Sequence, residues 1–173
     1  MKRFKLIIIG LILILSLTIT ALYTITLLQV YIADKGPNFN KILIQLPAKT
    51  GEKFDVRWIH SVSRRPVIET YKIEKDLRIS IFEMKFDTFS ANLPASPDYN
   101  TKWEYHKDYI RVYNYDVLFD AVPVVIGKVV ADHTLYFRDK VIHLKDVYKP
   151  GGYVKIRVVK DILLNYLIKE AFN

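Results

Sequence analysis

Four histidines and no cysteine set the range of chemistry open to this chain of 173 residues. Without a thiol there is no cysteine nucleophile, no disulfide scaffold and no thiolate site for zinc or an iron–sulfur cluster. The histidines are His60, His106, His133 and His143, and none has the spacing of a metal-binding helix. His133 and His143 flank a turn at Arg138-Asp139-Lys140, a weak basis for a zinc site. No phosphate loop or dinucleotide fingerprint occurs among the 6 glycines, so neither metal nor cofactor is expected. The informative stretch runs from Phe54 to Ile73. There His60 and Ser61 precede a turn at Ser63-Arg64-Arg65-Pro66, and Glu69 follows it. A histidine held by a carboxylate is either a general base with an orienting partner or the polar floor of a ligand pocket.

The elements that would position this pair are two strands. A four-residue loop, Ser63 to Pro66, places Val62 opposite Val67, His60 opposite Glu69, Trp58 opposite Tyr71 and Val56 opposite Ile73. Side chains alternate along a strand, so all eight share one face, and the pair sits in an apolar row. Burying an unpaired charge costs several kcal/mol, which would hold the two together. Two roles stay open: a cross-strand lock that sets the register, or a site. Ser61 does not complete a serine–histidine dyad with His60, because neighbours on a strand point to opposite faces. No catalytic residue is assigned. His60 and Glu69 form the candidate pair, and Ser61 and His133 are candidate additional polar residues.

Strand patterns recur along the chain at Ile42–Leu46, Phe54–Val62, Val67–Ile73, Arg78–Phe86, Tyr109–Tyr115, Val122–Ile126, Thr134–Phe137, Val141–Leu144 and Tyr153–Val159. Many short strands, separated by prolines and with no recurring helix, predict an all-β domain: an antiparallel β-sandwich or partly open barrel. A loop of small residues from Asp87 to Asn100 contains Phe89, Ala91, Leu93 and Pro94 and would cover one end of that body, near His60. From Lys160 the pattern changes. Asp161, Asn165 and Lys169 fall four apart, the polar stripe of a short and otherwise apolar C-terminal helix over residues 160–173. The thirteen residues from Lys160 to Phe172 reach only about 20 Å as a helix, too short for a bilayer.

The N-terminus carries the strongest single signal. Residues Leu6 to Ala33 form an uncharged run preceded by Lys2, Arg3 and Lys5. A helix needs about 20 apolar residues to span a bilayer, and a cleaved signal has an apolar region of roughly 7–15. Residues 1–33 are therefore expected to form an uncleaved transmembrane signal anchor. The flanking cations keep its N-terminus cytoplasmic. Residues 34–41, with Gly36-Pro37-Asn38, would be a linker, and 42–159 an extracytoplasmic β domain. The net charge is +8, of which Lys2, Arg3 and Lys5 supply +3; the +5 left to the outer domain is mild, and no basic stripe interleaved with aromatics points to nucleic acid.

The segments His60-Ser61-Val62, Pro66-Val67 with Glu69, Phe89 with Ala91 and Leu93-Pro94, Gly127 with Ala131-Asp132-His133 and Leu135, then Leu144, Pro150-Gly151 and Val154 together resemble domain-of-unknown-function family eighteen-fifty. The likeness covers roughly Ile42 to Val159. Ser90 and Asn92 stand where that family usually has glycine, and the C-terminal apolar helix is an addition. The resemblance implies a small exported or membrane-anchored protein, often encoded beside TRAP-type transporters of the TAXI class that take up organic acids. It implies no catalytic residues. The expected function is thus a membrane-anchored extracytoplasmic accessory or interaction module. Its partners would be the membrane and a transporter permease or its solute-binding protein. The alternative is a small-ligand binding or hydrolytic domain using His60, Glu69 and His133.

Overall fold

A computed structural model describes residues 2–98 and 100–171, with the side chains of residues 4–19 and 22 described in the first helix. Residues 172 and 173, counted above with the C-terminal helix, and the side chains of Lys2 and Arg3, counted with the cationic flank, lie outside the described residues. The chain runs α1 (Lys2–Leu22), β1 (Thr24–Ile32), β2 (Ile42–Ala48), β3 (Lys53–Ile59), β4 (Pro66–Ile73), β5 (Ile79–Phe86), β6 (Lys102–Tyr105) and β7 (Ile110–Tyr113). It continues through β8 (Leu118–Phe119), β9 (Ala121–Val125), β10 (Thr134–Phe137), β11 (Lys140–His143), α2 (Leu144–Val147), β12 (Tyr153–Ile162) and α3 (Leu163–Ala171).

The strands form two open antiparallel sheets. One has the order β2-β1-β12-β9; the other runs β11-β10-β3-β4-β5-β7-β6, with β8 beside β5. Leu28, Val30, Val122, Val154 and Ile156 from the first sheet join Phe54, Val56, Val67, Ile73, Val112 and Leu135 from the second in one hydrophobic cluster. Two sheets sharing a single core agree with the sandwich architecture expected from the strand spacing. Pro47 and Pro123 lie in β2 and β9, the two edge strands of the smaller sheet, where a missing N–H breaks no ladder.

The largest departure from the sequence reading is at residues 24–32. They do not continue the N-terminal helix. They form β1, which pairs with β12 from Thr24↔Ile162 to Ile32↔Val154 and with β2 on its other side. Leu27, Leu28, Val30 and Ile32 are buried there. Gln29 is buried as well, its Oε1 accepting 3.1 Å from Arg157 Nε. A strand covered on both faces reads as an unbroken apolar run, the same pattern that marks a membrane helix. Residues 34–41 are accordingly the turn between β1 and β2, closed by Ile32 N–H to Lys41 O at 3.0 Å and by Asn40 at φ 64°. The β body begins at Thr24 and ends at Ile162, not at 42 and 159.

The remaining helix, α1, carries exposed apolar side chains along its described length, from Phe4 and Leu6 to Leu17, Ile19 and Leu22. Among the described residues no helix is long and apolar enough to cross a membrane. α3 starts three residues later than expected, because β12 extends through Ile162 to match β1. Its polar stripe is a chain of contacts: Asn165 Nδ2 donates 3.0 Å to Asp161 Oδ1, and Lys169 Nζ pairs with Asp161 Oδ2 at 3.3 Å. The weakly patterned β6 and β8 were not expected, and Leu144 opens α2 instead of closing a strand.

Candidate functional site

His60 follows the last residue of β3 and is 4% exposed. Its Nδ1 accepts the backbone N–H groups of Val62 at 3.2 Å and Ser63 at 3.3 Å. Two amide donors at Nδ1 place the ring proton on Nε2, which donates to the Ala91 carbonyl at 2.7 Å. Ser90 Oγ is also 3.1 Å from Nδ1. The ring thus ties the β3–β4 connection to the long loop after β5. A second tie is the ion pair of Arg65 with Asp87, whose Nε to Oδ2 distance is 2.8 Å. Arg65 holds the Asp87 carboxyl below the usual carboxylate range.

Glu69 is elsewhere. The register pairs Ile59 with Pro66, Trp58 with Val67 and Val56 with Glu69, so the connection is six residues, 60–65, and not four. The expected His60–Glu69 pairing is therefore corrected: Glu69 lies across from a residue four positions before His60, about 13 Å along the strand. The slip is even, so every side chain keeps its face. What the shorter loop missed is the turn made by His60 itself, with Arg64 at φ 59° and bonds His60 N–H to Arg65 O and Arg64 N–H to His60 O, each 2.9 Å.

Glu69 forms its own polar cluster. Its Oε2 accepts 2.8 Å from the hydroxyl of Tyr71, a buried neighbour two residues along the same face. The Tyr115 hydroxyl is buried with no hydrogen-bond partner among the described residues. Burial raises the Glu69 carboxyl above its ordinary value, the Tyr71 bond opposing it. Burial, with the Glu69 charge behind it, pushes Tyr115 up to about 12 and raises Tyr71 further still.

His133 does share a locality with His60, through a residue the sequence reading did not single out. The Trp58 ring lies between them, 5.6 Å from His60 and 6.1 Å from His133, the latter stacked at 18°. His133 Nδ1 is 3.2 Å from both the Gly127 amide and the Ala131 carbonyl. Burial pushes this imidazole below its ordinary value. Gly127 admits no side chain, since a Cβ there would lie 2.0 Å from the Ala131 oxygen. His143 is opposite Thr134, not His133, and pairs with Asp132 at 3.1 Å. Among the described residues no group of three potential ligands could hold a metal ion.

The long loop meets His60 through Ala91. Ala91 supplies the carbonyl, Leu93 packs on the core and Pro94 is half-buried. Phe89 is exposed and stacks on Trp103 at 6.2 Å and 17°. Asn92 has φ 64°, a left-handed conformation natural to glycine and tolerated by asparagine. Ser61 is exposed, and the hydroxyl near His60 belongs to Ser90. The amides at Nδ1 occupy the lone pair that would activate Ser90, so this contact fastens the loop and does not prepare a nucleophile. Surface clefts lined by residues 40–45 with Lys169 and Glu170, and by Asp55, Arg57, Pro66, Ile68 and Tyr136, include neither His60, Glu69 nor His133.

No curated protein and no solved structure matches the chain. A family model does match, over residues 54–144, just over half of the sequence. That span holds the His60 turn, the loop that covers it, Glu69 and the Gly127–His133 clasp. The chain belongs to the family described as Domain of unknown function (DUF1850).

Proposed function

We propose that this protein is a membrane-anchored, extracytoplasmic interaction module and not an enzyme. The observation that carries the reading is the junction at Tyr23. One residue separates α1, whose described apolar side chains face outward, from β1 at the interior of the smaller sheet. A helix apolar on all sides is stable only where it is covered, in a large core or in lipid. The body offers α1 no such core. The described side chains alone give a short apolar stretch; the helix as a whole has 21 residues, about 31 Å, against a hydrocarbon core of about 30 Å. Lys5, with Lys2 and Arg3 in the sequence, favours a cytoplasmic N-terminus and an external body.

The arrangement of the polar residues supports a binding role over catalysis. His60 spends both ring nitrogens on backbone groups, and Glu69 is remote from it. Association with a TRAP-type transporter of the TAXI class, through its permease or solute-binding protein, follows from the family resemblance. The test uses intact cells and their membranes. External protease should remove the body while leaving a membrane-bound stub, and carbonate washing should not release the full chain. Purification in mild detergent should recover transporter subunits. A body resistant to external protease but cut after lysis would overturn the topology, and recovery of the chain alone would overturn the partnership.

A further inference from the structure

We propose that α3 lies in the membrane interface beside α1, with Leu164, Leu167 and Ile168 set among the lipids. The proposal rests on the anchor reading above and adds a second, C-terminal contact with the same bilayer. The three side chains are 44%, 48% and 48% exposed and recur at i, i+3 and i+4, one continuous row on the helix. Leu163 and Tyr166 are half-buried, and Asp161, Asn165 and Lys169 form the separate polar row. The apolar row is therefore neither the face used for packing nor the face used for solvation.

Its occupant follows from where α3 starts. β1 and β12 are paired to their ends, Thr24 opposite Ile162, so α1 and α3 leave the sheet at the same end. The Leu163 N–H donates 2.8 Å to the Tyr23 carbonyl, and the two helices touch. α3 with its apolar row therefore lies at the end of the body from which α1 leaves. A bilayer that receives α1 passes directly by α3, whereas a protein partner would have to fit between α3 and the lipid. Tyr23 is exposed at this level, suited to the zone between lipid tails and water. Exposed Lys160 lies just before the helix, with a stem long enough to reach headgroups. Nine residues make a helix of about 13 Å, which can lie at the interface but cannot cross it.

The absence of cysteine allows a direct test with single labels on the full chain. Leu164→Cys, Ile168→Cys, Asn165→Cys and Leu11→Cys would each carry a nitroxide. The proteins would be placed in vesicles of phosphatidylcholine with phosphatidylglycerol and read by collision with oxygen and with a water-soluble nickel chelate. The expected result is a several-fold preference for oxygen over nickel at positions 164 and 168 relative to 165, with the strongest preference at position 11. If position 11 is in lipid but 164 and 168 behave like 165, the interfacial helix is wrong and the anchor stands. If 164 and 168 are shielded from both reagents, a second copy or the body covers the row, and the proposal fails. Water-like values at position 11 would remove the anchor reading and this inference with it.

Discussion

His60 shows how a residue with catalytic credentials is consumed by structure. Its ring satisfies two amides of its own turn and a carbonyl 31 residues away, so replacing it leaves several backbone groups unpaired. Each such group costs about 1–3 kcal/mol when buried. His60→Ala should therefore destabilise the body by about 3 kcal/mol in urea titration, with the loop after β5 the first site of proteolysis. A change within about 0.5 kcal/mol would argue against the fastening role. Glu69 behaves in the opposite sense. Burial raises its folded pKa, so the native state binds this proton more tightly than the unfolded chain. The stabilising contribution is complete below the unfolded value of about 4.3 and is lost as pH rises through the folded value. Glu69→Gln keeps an acceptor for Tyr71 and should raise stability at neutral pH while flattening the decline above about pH 4. Unfolding curves that keep the wild-type slope would show that another group is responsible.

At the scale of elements, β1 is where helix and strand readings diverge in consequence. Leu28 is buried between the sheets, whereas Leu13 faces outward on α1. Leu28→Ala should cost about 2–5 kcal/mol in denaturant unfolding of the detergent-solubilised protein, in the range of buried leucines. Leu13→Ala should change the same transition by less than about 0.5 kcal/mol. Equal, small effects would return residues 24–32 to the anchor. The sequence held a clue in Gln29, a polar residue inside the run, whose partner Arg157 lies 128 positions away. The hairpin of β3 and β4 was legible in its faces but not in its register. Alternation fixes which side chains turn inward; the length of the connection depended on a histidine capping its own turn.

For the whole molecule, the boundary between anchor and body is a testable division. A chain starting at Tyr23 keeps β1 and should fold as a body of two sheets, with a single cooperative unfolding transition. A chain starting at Asp34 loses a strand from the interior of the β2-β1-β12-β9 sheet, exposes the edge of β12 and should aggregate or fail to fold. If both fold equally well, β1 is dispensable and the described sheet order is wrong.

Local pattern alone was sufficient for much of this protein: the all-β class, most of the strands, the polar stripe of α3, the absence of thiol chemistry and the family. Each depends on spacing or composition within a few residues. Tertiary structure alone decided that an apolar run was helix up to Leu22 and buried strand from Thr24. It also separated Glu69 from His60, placed Trp58 between two histidines and brought α3 against the end of α1. Burial on both faces looks the same in sequence whether the cover is protein or lipid, and only the neighbours supplied by distant segments distinguish the two.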